Sequence, residues 1–253
     1  MVTKSFLVAL PAAITSFLSR KNYFSLRIAA DDKEHAIDTD RKRTNLLRAI
    51  EQPVLVYLCR IMPMWLTSDM LTFIGLIGSA IVAAGFVMAR TDKQYLLVSI
   101  MGFAIQWFGD SLDGRLAYFR NSPRKWYGFS LDICIDWISI ILIGLGFYYF
   151  LPQNYKLLAF GFVTIYGWAM LLALLKYRVT DTYAVDTGLF GPTEFRVALC
   201  LVLIIELIIP GALTIAALVV IVLLSIICFA NFYSLLQSGN ARDKKENGQL
   251  YKN

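Results

Sequence analysis

Two pairs of aspartates stand where long apolar stretches end or run: Asp110 and Asp113 close one such stretch, and Asp132 and Asp136 lie inside the next. The pairs are spaced i, i+3 and i, i+4, so on helices each pair projects from a single face. An acid at the centre of a lipid-buried helix costs at least ~2.5 kcal/mol, which calls for a compensating partner. Four carboxylates converging at low dielectric repel one another unless cations neutralise them. Hard oxygen ligands in that number suit magnesium, manganese or calcium. The bland alternative pairs each aspartate with a nearby arginine or sets it as a helix cap; four acids at this spacing favour the metal. Gly114 follows Asp113 directly and Gly128 precedes Asp132 by four. A glycine beside metal-held phosphate lets the backbone come close to the ligand. Between the pairs lie Arg115, Arg120, Arg124 and Lys125, cations that suit phosphate oxygens or simply mark one membrane face.

These residues need long apolar helices to hold them. Of the 253 residues 58% are hydrophobic and 17% charged, and the mean hydropathy is +0.60. A water-soluble domain carries about a quarter charged residues, so lipid is the expected solvent, and disorder is excluded by the same excess of apolar surface. The four cysteines (Cys59, Cys134, Cys200, Cys228) are scattered through apolar runs without metal-type spacing, which excludes a disulfide scaffold. The single histidine, His35, argues against histidine-held zinc and against a Ser-His-Asp triad. Six stretches approach or reach the length that crosses a ~30 Å hydrocarbon core: 70–89, 95–108 running on into Asp110, 126–150, 157–175, 193–209 and 212–236. Pro152, Pro192 and Pro210 punctuate their ends. The expected fold is all-α and integral to the membrane, with six transmembrane helices.

With the N-terminus in the cytoplasm, the inside segments hold 21 of the 24 lysines and arginines, and only Arg90, Lys93 and Lys156 fall outside. That bias sets both termini on the cytoplasmic side. It also makes the net charge of +6 a topology signal, with no nucleic acid as partner. Residues 4–18 are apolar but broken by Pro11, too short for a span, and no A-x-A-like cleavage site follows. Residues 31–43 are a solvated charge run. Residues 45–62 alternate Leu46, Leu47, Ile50, Val54, Leu55 and Leu58 with Arg48, Glu51 and Arg60, the pattern of an amphipathic helix in the interface or of a helix packed on a neighbour. The chain thus divides into a cytoplasmic segment 1–69 with that helix, a six-helix catalytic domain 70–236, and a cytoplasmic tail 237–253.

The run from Asp110-Ser-Leu-Asp113-Gly114-Arg-Leu-Ala117 to Gly128-Phe-Ser-Leu-Asp132-Ile-Cys-Ile-Asp136 resembles the signature of the CDP-alcohol phosphatidyltransferases, D-x-x-D-G-x-x-A-R-x8-G-x-x-x-D-x-x-x-D. Both aspartate pairs, both glycines and the alanine match. Tyr118 stands in place of the family's arginine, and one extra residue separates Ala117 from Gly128. Upstream, Ser68-Asp69-Met-Leu-Thr72 occupies the place of the family's Pro-Asn-x-x-Thr, and only Thr72 matches.

The resemblance implies a two-metal site of Asp110, Asp113, Asp132 and Asp136, holding Mg2+ or Mn2+ against the diphosphate of a CDP-linked donor, with CDP-diacylglycerol as the expected lipid. Asp136 is then the general base on the acceptor hydroxyl, which attacks the β-phosphorus and expels CMP. Gly114, Ala117, Gly128 and Thr72 fall on the donor side, with Arg120 the nearest cation to take up phosphate contact. Lys176, Arg178 and Arg196 either bind an anionic alcohol acceptor or anchor helices at the lipid surface. Glu206, toward the opposite membrane face, reads as a helix-packing polar residue. A homodimer in the cytoplasmic membrane of a bacterium, among membrane lipids, is the expected setting. Two other classes share some features. A membrane prenyltransferase also binds diphosphate through magnesium but has its aspartate motifs on separate hairpins. A divalent-cation transporter wants its acids near the midplane on broken helices.

Overall fold

The computed structural model describes residues 47–180 and 191–250; the apolar stretch 4–18 and the charge run 31–43 lie outside the described residues. Every element within them is helical. In chain order these are α1 (Arg48–Ile61), α2 (Ser68–Met88), a 3-10 turn (Lys93–Tyr95), α3 (Leu96–Phe119), α4 (Lys125–Phe150), a second 3-10 turn (Gln153–Tyr155), α5 (Lys156–Thr180), α6 (Pro192–Ile208) and α7 (Ala212–Leu250).

Among the described residues, five stretches are long and apolar enough to cross a membrane: α2, Lys93–Phe119, α4, Gln153–Thr180 and Ala212–Asn247. They make this a multi-pass membrane protein. The sixth expected span corresponds to α6, whose 17 residues rise about 26 Å and fall just short of the other five. The amphipathic stretch forms α1. Its Leu55 and Cys59 are buried, packing with Leu71, Leu112 and Leu116, while Ile50, Tyr57 and Ile61 face outward.

Small residues decide how α2, α3 and α4 meet. Along α2, Gly78 and Gly85 are seven residues apart, and along α3 so are Gly102 and Gly109. A Cβ on Gly78 would lie 2.4 Å from the Gln106 nitrogen, and one on Gly109 would lie 2.4 Å from the Gly75 nitrogen and the Leu71 oxygen. The two backbones therefore touch, the close approach that lets helices associate in lipid without a hydrophobic drive between them. Gly146 brings α4 against Ala83 of α2 in the same way. Beyond this contact, Val82, Phe86, Phe103, Ile143 and Phe147 form the main apolar cluster.

Local signals set the helix ends that matter. Thr67 caps α2, its hydroxyl oxygen accepting from the Met70 N–H at 3.2 Å. Helix α3 stops in a Schellman turn: Asn121 takes φ +53°, its N–H bonds the Tyr118 carbonyl, and the Ser122 N–H bonds that of Ala117. Asparagine tolerates this left-handed geometry better than most residues. The reversal returns the chain at once into α4, so the ends of α3 and α4 that bear the aspartates lie together.

Candidate active site

Asp110, Asp132 and Asp136 converge, each offering a carboxylate oxygen within 4.8 Å of the others. They line a small cavity between α2, α3 and α4 together with Asp113, Thr72 and Gly75. Two helices bring four acids together because each pair occupies one helical face and the Schellman turn sets those faces opposite. The Thr72 hydroxyl donates to Asp113 Oδ2 at 2.7 Å, which fixes the carboxylate of Asp113 from the neighbouring helix. Like charges this close need a positive partner. One is in place: Arg196 Nη2 on α6 donates to Asp110 Oδ2 at 2.5 Å, both side chains being largely buried. The pairing that sequence reasoning set against a metal thus holds for Asp110, and carboxylate oxygens of all three acids nevertheless lie within 4.8 Å of one another. Ionised carboxylates are acceptors only, so a set of three with a fourth alongside fits Mg2+ or Mn2+, which take hard oxygen donors.

The remaining residues singled out in the sequence fall in several places. Gly114 and Gly128 are exposed, and a Cβ on either would meet nothing within 4 Å, so the backbone there is open to a ligand. Ala117, half-buried, lies on the turn of α3 beyond Asp113. Arg120 has its guanidinium on backbone: it donates to the carbonyls of Leu66 (2.5 Å), Pro63 (2.8 Å) and Met62 (3.3 Å), clipping the corner between α1 and α2. Arg124 pairs with Asp69 and lies 4.1 Å over the Tyr127 ring. Lys176 and Arg178 sit at the end of α5 and do not line the carboxylate cavity. Glu206 accepts from Lys93 at 3.3 Å and from the backbone N–H groups of Gly211 and Leu213, joining three segments as a helix-packing carboxylate.

Three residues were not legible as part of this arrangement. Glu51 of α1 accepts from the Trp107 indole N–H at 3.2 Å and the Thr193 hydroxyl at 3.0 Å, tying α1 to α3 and α6 beside Arg196. Gln106 and Ser139 line the same cavity as the aspartates. Their signal was present in the helical phase, since Gln106 is four before Asp110 and Ser139 three after Asp136.

No family model matches the chain, and no curated protein matches it by sequence. Solved structures do match by fold. The Mycobacterium tuberculosis phosphatidylinositol phosphate synthase in complex with manganese and citrate aligns with a TM-score of 0.51 at 19% identity, over 73% of this chain and 88% of that one. The same enzyme with CDP-DAG bound aligns with a TM-score of 0.50 at 20% identity, over 72% and 92%. Fold and site together define an all-helical, multi-pass membrane protein with a carboxylate cluster at one end of its central helices. In architecture it is similar to these phosphatidylinositol phosphate synthase structures.

Proposed function

We propose that this protein is a CDP-alcohol phosphatidyltransferase, moving a substituted phosphate from a CDP-linked donor, CDP-diacylglycerol, to an alcohol acceptor with release of CMP. The observation that carries this reading is the convergence of Asp110, Asp132 and Asp136, with Asp113 beside them, where α3 and α4 reverse. The fold shared with a synthase whose structures hold manganese and, separately, CDP-DAG supports it.

Asp110, Asp113, Asp132 and Asp136 would hold Mg2+ or Mn2+. When bound, the metal ions neutralise diphosphate charge and stabilise the departing CMP. The rest belongs to the chain. The open backbone at Gly114 and Gly128 admits the cytidine diphosphate, with Ala117 leaving room beside it. Thr72 keeps Asp113 turned inward. Asp136 takes the proton of the acceptor hydroxyl as its oxygen attacks the β-phosphorus. Arg196 shares its charge between Asp110 and an anionic acceptor, with Lys176 and Arg178 nearer the membrane surface. Arg120 serves the donor side by holding the α1–α2 corner from which the helix bearing Thr72 starts.

In this reading α6 is the fifth of six spans and α1 lies in the interface, its exposed Ile50, Tyr57 and Ile61, with Trp65 in the turn that follows, set among lipid. Segment 1–69 and the tail 237–253 face the cytoplasm, flanking a catalytic domain 70–236, and the enzyme works as a homodimer in a bacterial cytoplasmic membrane. The test is CMP release from CDP-diacylglycerol with Mn2+ or Mg2+, across serine, glycerol 3-phosphate, inositol, inositol phosphate and choline. Release that depends on metal and on one of these alcohols is the expected result; none from any pairing overturns the reading.

A further inference from the structure

The carboxylate cavity has a neutral end. Along α3 its lining runs Gln106, Asp110, Asp113; along α4 it runs Asp132, Asp136, Ser139. Since α3 runs into the aspartate end and α4 out of it, Gln106 and Ser139 each lie about one helical turn further from that end than Asp110 and Asp136. Gln106 is 7% exposed and Ser139 3%. Neither side chain has a hydrogen-bond partner among the described residues. A buried primary amide and a buried hydroxyl without partners are rare in native proteins and call for an explanation. Here both line the one cavity that the aspartates also line.

We propose that Gln106 and Ser139 form a neutral subsite for one hydroxyl oxygen, held on the membrane-ward side of Asp136. This rests on the transferase reading and deepens it. The chemistry of the groups fits the task. Ionised aspartates only accept, so an O–H placed among them points its proton at Asp136. Its oxygen then needs donors on the far side, and the Gln106 amide N–H and the Ser139 O–H are the uncharged donors there. When the proton passes to Asp136, negative charge grows on that oxygen, and two preorganised donors stabilise it as it forms. The acceptor oxygen's electron pair closes the new bond to the β-phosphorus, and the bond to CMP breaks with its pair leaving on CMP. The occupant is the acceptor's attacking hydroxyl itself, or a resident water that takes that hydroxyl's proton as it gives its own to Asp136; both share the same hydrogen bonds.

The experiment compares Gln106→Leu, Ser139→Val and Ser139→Thr in the full-length, metal-loaded protein. Valine and threonine have one shape, so their difference isolates the hydroxyl. Gln106→Leu and Ser139→Val are expected to slow CMP release about tenfold or more, the lower range for loss of a preorganised donor, while Ser139→Thr, which keeps the hydroxyl, is expected to release CMP clearly faster than Ser139→Val. Mn2+ affinity, titrated without substrate, is expected to be unchanged in all three. A fall in kcat supports the subsite with either occupant, and a rise in acceptor KM beside it identifies the acceptor hydroxyl as that occupant. Equal rates for Ser139→Val and Ser139→Thr overturn the proposal, as does a loss of Mn2+ affinity matching that of Asp132→Asn. A density map of the Mn2+-loaded parent gives the independent arm, with an oxygen within hydrogen-bond distance of both Gln106 and Ser139 as the expected result. If that oxygen is present but no donor yields CMP, the transferase reading fails and the subsite stands. If CMP is released while both side chains bond only to helix backbone, the subsite fails and the transferase stands.

Discussion

Arg196, carried on α6, reaches Asp110 on α3 with Nη2 2.5 Å from Oδ2. The pair joins two helices through residues 86 positions apart in the chain, and it places the one buried cation seen among the described site residues against the crowded carboxylates. Glu51 braces the same helix from the other side through Thr193. The charge on Arg196 therefore holds α6 to the site and offsets repulsion within it.

Removing that charge has a signed consequence. Arg196→Met leaves Asp110 uncompensated, and losing one partner of a buried pair is strongly destabilising. The metal-free protein is expected to unfold at lower temperature than the parent. Added Mn2+ is expected to recover most of the difference, since a cation replaces the lost charge. Thermal unfolding with and without Mn2+ measures both effects; an Arg196→Met variant as stable as the parent without metal would remove the neutralising role.

The acids are expected to separate by function. Asp113→Asn and Asp132→Asn each remove a charged ligand, so both should abolish CMP release and weaken Mn2+ binding while the protein still inserts and folds. Asp136→Asn should lose transfer by ~10²-fold or more, the scale of general-base removal, yet keep most of its affinity for the CDP-linked donor. Donor titration in the presence of metal distinguishes them. Equal loss of donor binding in Asp136→Asn and Asp113→Asn would make Asp136 a ligand rather than the base.

Glycines near the site should divide into two kinds. Gly109→Ala forces a Cβ to 2.4 Å from the Gly75 nitrogen and the Leu71 oxygen, so α2 and α3 must part, moving Thr72 away from Asp113. Stability and activity are both expected to fall, with overpacking costing about 1–3 kcal/mol. Gly128→Ala meets nothing within 4 Å and should fold like the parent while raising the KM for the donor. Unfolding midpoints and donor kinetics of the two variants, taken together, check the contrast.

Orientation can be read by thiol labelling of intact cells. Among the native cysteines, Cys59 and Cys228 are buried, and burial pushes the Cys59 thiol up to about 11, but Cys134 is exposed, so a cysteine-free background is the right host. Ser122→Cys, in the α3–α4 turn, is expected to label only after permeabilisation. Lys156→Cys, at the start of α5, is expected to label from outside. The reverse pattern would invert the topology and the route by which CDP-linked substrate arrives.

Much of this protein was determined locally and could be read along the chain. Helices α2, α3, α4, α5 and α7 follow from long, predominantly apolar runs, α1 from its alternating pattern, and the two aspartate faces from spacings of three and four on a 3.6-residue period. Even Gln106 and Ser139 continue those faces, but an uncharged residue in an apolar run carries no penalty large enough to mark it in the sequence. What only the tertiary structure decided are pairings between distant segments: Arg196 with Asp110, Thr72 with Asp113, Glu51 with Trp107 and Thr193, and Arg120 with the α1–α2 corner. Arg196 and Arg120 show the difference. Each is an arginine near a membrane face, and nothing in their neighbours along the chain says that one meets a carboxylate and the other three carbonyls. Helical periodicity depends on bonds four residues apart, whereas a guanidinium's partner depends on which helices pack together. For α2 and α3 that packing shows in the backbone contact at Gly78, Gly85, Gly102 and Gly109, a property of two helices in contact and of neither one alone.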